Sequence, residues 1–195
     1  MSKLYFTYSA MNAGKSAILL QAAYNYRERG MEVMLWTSGH YGDQGEAKMG
    51  KIESRIGLQA DAHLYRADTD LFAAIETSRA AGPLDVVFFD EAQFLTREQV
   101  WQLARVGDRL GLPVLCYGLR TDFQGELFEG AAALLALADD LREARTICHC
   151  GRKATMTARM DERGKALTEG AQVSVGKEVY VSLCRRHWEE ALGRD

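Results

Sequence analysis

Apolar positions along roughly the first 145 residues follow a repeating order, a short run of strand length and then a longer stretch with helical period. The runs predict strands at 4–8, 32–37, 85–89 and 114–117, with a weaker one at 63–65. Helices are expected to begin at Lys15, near Thr69 and at Thr96. The last has the look of a capping box, Thr96 followed three residues later by Gln99, and it stops before Gly111-Leu112-Pro113. Strand and helix in alternation are the sequence form of an α/β fold, a parallel sheet flanked by helices. Residues 38–51 break the order: rich in glycine and charge and without period, they read as a mobile surface loop. After Cys148 short β-like pieces at 153–159, 172–175 and 178–183 alternate with turns at 161–164 and 176–177, predicting a small antiparallel appendage.

Composition narrows the class. Of 195 residues 47% are apolar and 26% charged, enough to bury a core and far from the disordered range. The net charge of −3 offers no basic excess for nucleic acid or an anionic membrane. The apolar run 131–138 is too short to span a bilayer, and the N-terminus lacks the three parts of a signal peptide. The expectation is a cytoplasmic protein, whose cysteines are then free thiols or metal ligands rather than disulfides.

Three motifs carry chemistry. In "YFTYSAMNAGKSAILL" a strand-like run meets a helix-like one at Gly14-Lys15-Ser16. Backbone N–H groups at such a junction point at an anion, a lysine reaches the β- and γ-phosphates, and the Ser16 hydroxyl can ligate Mg²⁺. Ser9 stands where the pattern G-x-x-x-x-G-K-[ST] has its first glycine; serine can hold a turn through its own backbone. In "DVVFFDEAQF" the apolar run 86–89 delivers Asp90 and Glu91 to the C-terminal end of a buried strand, where ligands sit in open α/β sheets. Asp90 is placed to partner Mg²⁺, directly or through another ligand, and Glu91 to take a proton from an attacking hydroxyl or water. Two phosphate-handling motifs in this order point to phosphoryl transfer. The third motif pairs Cys148-His149-Cys150 with Cys184-Arg185-Arg186-His187. Cys148, Cys150, Cys184 and His187 make a closed tetrahedral zinc set of structural type, and His149, alternating with the two cysteines, points away.

The segments "YSAMNAGKS", "FDEAQFLT", "CYGLRTDFQGELFEG", "TICHCGRKA" and "YVSLCRRH" together resemble the type II thymidine kinases, from Lys3 to about Trp188. The resemblance implies a RecA-like P-loop domain over residues 1–145. A zinc-ribbon lobe with a flexible lasso and a C-terminal helix would follow over 146–195. It implies a phosphotransferase joining ATP, with Mg²⁺, to the 5′-hydroxyl of thymidine, giving ADP and dTMP in nucleotide salvage. By this likeness Ser9, Ala10, Met11, Asn12, Ala13, Gly14, Lys15 and Ser16 form the phosphate loop. Asp90, Ala92 and Gln93 belong to the Mg²⁺ and phosphate segment, and Glu91 is the base on the nucleoside 5′-hydroxyl. Serine at the loop's first position also occurs within that family. For the nucleoside, Met11 and Phe94 would wall the base and Leu119, Phe123 and Phe128 line its pocket. Thr157, Gln172, Val173, Ser174, Val175, Gly176 and Tyr180 would make the lasso side. Feedback inhibition by thymidine triphosphate and a homotetramer are implied as well. The family's Asp-x-Arg element after the second strand is not matched: Asp43 is followed by no arginine, leaving Asp43, Glu46 and Lys48 as alternatives for metal or cation. Two other classes share parts of the pattern. A nucleic-acid-dependent ATPase would want a basic, aromatic-lined groove, which the acidic balance disfavours. A zinc-ribbon binding module would leave the phosphate loop idle.

Overall fold

A strand covered on both faces can bury every one of its side chains, and the four apolar residues Val86–Phe89 form such a strand. The computed structural model describes residues 3–40, 49–172 and 179–194. In chain order the main body contains β1 (Leu4–Ser9), α1 (Lys15–Glu28), β2 (Val33–Ser38), β3 (Met49–Glu53), β4 (Gln59–Tyr65) and α2 (Leu71–Ala81). It continues with β5 (Val86–Phe89), α3 (Arg97–Arg105), β6 (Val114–Leu119), α4 (Glu129–Leu137) and β7 (Asp140–Glu143). The sheet runs β3-β4-β2-β5-β6-β1-β7, so β5 is its middle strand. Val87 and Phe89 pack under α2, α3 and α4 with Ile75, Leu103 and Leu134, while Val86 and Phe88 meet Leu19, Leu20 and Ala23 of α1 on the other face.

Capping explains where the helices start. Asp70 accepts the Ala73 N–H at the head of α2, and Thr96 and Gln99 form the reciprocal capping box of α3. Glu129 of α4 accepts the Arg97 N–H, so one helix caps another. After Arg105 the chain makes a π-helical turn, Val106–Leu110, and leaves it through Gly111 at φ 66°, a conformation glycine adopts without strain.

The sheet is parallel except at one edge, where β3 runs antiparallel to β4. The expected loop over 38–51 therefore needs correction at its end: Met49–Lys51 are already strand, paired with 61–63, and the weak strand at 63–65 extends back to Gln59. Residues 41–48, with Asp43, Glu46 and Lys48, lie outside the described residues. The helix α4 and the edge strand β7 were not anticipated: "GAAALLAL" is apolar on nearly every position, so it shows no helical stripe.

Beyond Glu143 the chain builds a lobe of two small antiparallel pairs. These are β8 (Thr146–Ile147) with β9 (Lys153–Ala154), and β10 (Met156–Met160) with β11 (Val179–Leu183), followed by α5 (Arg185–Leu192). The predicted strand at 153–159 is thus two, broken at Thr155. The predicted strand at 172–175 falls mostly outside the described residues, and Gln172 itself is not in a strand. Trp188 anchors the lobe's core, its indole N–H shared between the carbonyls of Phe123 and Thr157.

Candidate active site

Strands β1 and β5 both pair in parallel with β6, so Ser9, Phe89 and Leu119 come out at the same C-terminal end of the strands and the segments after them converge. After β1 the chain passes Asn12 at φ 62° and Gly14 at φ 76° before α1 begins at Lys15. Ser9 is still strand, paired with Leu119, so its position does not demand glycine's conformational freedom. Its hydroxyl donates to the Ala10 carbonyl and accepts from the Lys15 ammonium at 3.0 Å; Lys15 also donates to the Ala10 carbonyl at 3.2 Å. The lysine is thus held on its own loop, where an incoming phosphate would take over its donors. Burial pulls the Lys15 pKa down, opposed by the charges of Glu91 and Asp90.

Ser16 donates to Asp90 at 2.8 Å, which joins the two phosphate motifs by one hydrogen bond. Asp90 is 4% exposed, and burial followed by the neighbouring Glu91 raises its pKa to about 7, against the hydrogen bonds from Ser16 and the Glu91 backbone and the charge of Lys15. Glu91 sits at φ 54°, ψ 34°, a left-handed conformation that costs a residue with a Cβ about 1–3 kcal/mol. Three contacts hold it there. The buried Tyr65 hydroxyl donates to the Glu91 carbonyl at 2.7 Å, Gln93 donates to the Glu91 carboxylate at 2.5 Å, and the Leu119 N–H donates to the Gln93 side-chain oxygen. A backbone N–H can only donate, so the Gln93 oxygen faces β6 and its amide nitrogen faces Glu91. Gly118 leaves room for this amide, since a Cβ there would stand 2.9 Å from both the Gln93 N and Oε1.

A cavity of about 480 Å³ opens at this end of the sheet. It joins Met11, Asn12, Ala13, Gly14, Lys15 and Ser16 to Glu91 and to Leu119, Phe123, Phe128, Thr157, Gln172 and Tyr180. One end is polar and cationic, the other apolar, the form of a pocket for a ligand with a charged end and a flat one. Phe94 is not in the lining; it stands behind, edge-on to Phe128 and stacked on His40. Ala92 and Gln93 are buried behind Glu91, and Ser9 and Ala10 lie under the loop. Val173, Ser174, Val175 and Gly176 fall outside the described residues.

The sequence reading missed part of the lining. The turn between β3 and β4 brings Glu53, Ser54, Arg55 and Ile56 to the cavity, and the chain after β6 adds Thr121 and Asp122. Gly57, at φ 87°, marked that turn in the sequence. Asp122 accepts the Gln124 and Glu126 N–H groups and the Gln172 amide at 3.0 Å, an Asx turn that also reaches across to the lobe.

The lobe holds the loop after β1 directly. Thr157 of β10 accepts the Met11 N–H at 3.1 Å, the Ser182 hydroxyl of β11 donates to the Met11 carbonyl, and Asn12 donates to the Tyr180 carbonyl. In the same lobe the ligand atoms of Cys148, Cys150, Cys184 and His187 lie within 4.8 Å of one another. The Cys150–Cys184 sulfurs are 3.9 Å apart and His187 Nδ1 is 3.3 and 3.4 Å from Cys148 and Cys184. A tetrahedral zinc with Zn–S of about 2.3 Å puts two sulfurs about 3.8 Å apart, so the set fits that metal. Burial pushes the Cys148 thiol up. Hydrogen bonds from the Cys150 and Cys184 backbone and from His187 and Cys150 outweigh it and bring the thiol down to about 6, the thiolate a metal requires.

Comparison with known proteins agrees with this geometry. The thymidine kinase family model matches residues 2–188. A thymidine kinase of Mesorhizobium japonicum is 61% identical over all of this chain and 94% of its own length. One of Jannaschia sp. is 61% identical over 99% of this chain and 98% of its own, and one of Vibrio cholerae 57% over the full length of both. A family match over residues 2–188 and likeness of this extent over the full length make the chain a member of the thymidine kinase family.

Proposed function

We propose that the chain transfers the γ-phosphoryl group of ATP to the 5′-hydroxyl of thymidine, releasing ADP and dTMP in nucleotide salvage. One observation carries the reading: a single cavity joins the loop at 11–16, Glu91 and an apolar end walled by Leu119, Phe123 and Phe128. The loop amides and Lys15 would bind the triphosphate, and Ser16 and Asp90 would hold the Mg²⁺ that arrives with ATP. Glu91 takes the proton of the 5′-hydroxyl as that oxygen bonds to the γ-phosphorus and the bond to the β-phosphate oxygen breaks, its electron pair leaving with ADP. Leu119, Phe123, Phe128, Thr157, Gln172 and Tyr180 support a pocket for the base and sugar. Met11 serves both ends of the cavity, and Phe94 buttresses Phe128.

Cys148, Cys150, Cys184 and His187 would hold a structural zinc, since four ligands leave no open position for chemistry. The end of the sheet at Glu143 and the start of the lobe at Thr146 support a division into a P-loop domain, 1–145, and a zinc-ribbon lobe, 146–195. No helix among the described residues is long and apolar enough to cross a membrane, and the four cysteines are free. A cytoplasmic location is part of the proposal. A homotetramer belongs to the same reading. ADP release measured across a panel of nucleosides tests the function. Release that depends on thymidine is expected; release that depends on nucleic acid, or on no added nucleoside, would overturn it.

A further inference from the structure

Arg159 lies on β10 and is 3% exposed, yet no carboxylate pairs with it among the described residues. Its guanidinium sits 3.8 Å from the centroid of the Phe123 ring, donates to the Ala171 carbonyl at 2.8 Å and approaches the Glu169 carbonyl at 3.4 Å. Among the described residues its Nε–H is buried without a partner. A buried cation left with carbonyls and a ring face is costly, and an apolar side chain of similar size in its place is often neutral or stabilising. Packing alone therefore gives no reason for an arginine here.

The surroundings give one. Residues 168–172 are exposed and have no core of their own. Their described tethers are the two carbonyl contacts of Arg159, Gln172 to Asp122, and Gln124 to the Thr168 carbonyl. Gly170 completes the fit: it adopts φ 130°, and a Cβ there would stand 2.3 Å from Arg159 Nη2. Phe123 and Gln172, at the two ends of this arrangement, both line the cavity.

We infer that Arg159 is a positioning residue for the nucleoside end of the cavity. Its planar fork fixes the backbone at 169–171 while its face covers the Phe123 ring, so one side chain sets the spacing of two cavity walls. This rests on reading the apolar end as the nucleoside pocket.

Arg159→Met keeps apolar volume and deletes the fork. The expected result is a KM for thymidine raised about tenfold or more, with the KM for ATP, zinc content and Tm close to those of the wild type. Hydrogen exchange at the amides of 169–172 should quicken in the variant while that of β1 and β6 stays as it was. Arg159→Lys should resemble Met, because an ammonium cannot span both carbonyls and the ring. Should Arg159→Met fail to fold, Gly170→Ala poses the same question from the exposed side, displacing the guanidinium without emptying the core. A wild-type thymidine KM together with unchanged exchange at 169–172, in whichever variant folds, would overturn the inference. Wild-type protein that releases no ADP with thymidine would instead overturn the function, and the exchange measurement would still decide the tether.

Discussion

Glu91 is held in a strained conformation by Tyr65 and Gln93, neither of which lines the cavity, so the proposed base can be weakened from behind. Lys15→Ala should abolish measurable ATP use, whereas Glu91→Gln should retain ATP binding and lose roughly 10²–10⁴ in kcat. Gln93→Leu removes the amide that orients the carboxylate; kcat should fall on the order of 10²-fold with little change in either KM. Steady-state kinetics with both substrates varied separates the three, and a Gln93→Leu enzyme with wild-type kcat would show that the carboxylate needs no such support. Asp90 adds a pH dependence. Its folded pKa, about 7, lies above the unfolded value near 4, so between them the folded state holds a proton that the unfolded chain has lost. The stability this lends is full below about pH 4 and disappears as pH rises through about 7. Urea midpoints of protein free of nucleotide and Mg²⁺ should fall across that window, and Asp90→Asn should flatten the fall. At this scale the sequence marks the loop at 9–16 and the pair Asp90-Glu91 by residue types at fixed offsets, and the structure joins them through the Ser16–Asp90 hydrogen bond. The support under Glu91 was not legible: Tyr65 lies 26 positions away, and nothing local in a tyrosine marks it as a backbone clamp.

Among the elements, α4 packs directly behind the turn after Glu91, although the pattern of apolar residues did not reveal it. Gly130 in its first turn lets it close on the turn after Glu91; a Cβ would come within 2.6 Å of the Ala92 and Leu95 carbonyls and 2.9 Å of that of Gln93. Those atoms are backbone and cannot swing aside. Gly130→Ala should cost roughly 1–3 kcal/mol, a Tm lower by about 3–10 °C, and should lower kcat by shifting Glu91. Calorimetry and turnover on one preparation check both, and an alanine variant with unchanged Tm would mean that α4 can slide away freely. The capping box of α3 and the buried strand β5 were readable because their signals are local. The strands β3 and β7 were not, since short edge strands carry little periodicity and take their place from pairing partners.

Taken whole, the molecule offers one ligand surfaces from both its parts. Thymidine triphosphate would present its base to Phe123, Phe128 and Tyr180 and its phosphates to the loop at 9–16, so it should inhibit competitively with thymidine. Lys15→Ala should weaken that binding. Deoxycytidine should be a poor substrate, because its exocyclic amine puts a donor where thymine has an acceptor and strands a buried polar partner. Equal efficiency on the two nucleosides would mean the pocket is not built for thymine. Cys184→Ser should carry no zinc where wild-type protein carries about one per chain by metal analysis. The hydrogen bonds that Thr157 and the Tyr180 carbonyl accept from Met11 and Asn12, and that Ser182 donates to Met11, would give that metal a remote influence. Thermodynamic linkage runs both ways: if an ordered lobe tightens the grip on ATP, bound ATP must tighten the grip on zinc by the same factor. A chelator should therefore strip the metal more slowly from protein saturated with nucleotide, and a cell short of zinc would keep its ribbons longest where its nucleotide pool is full.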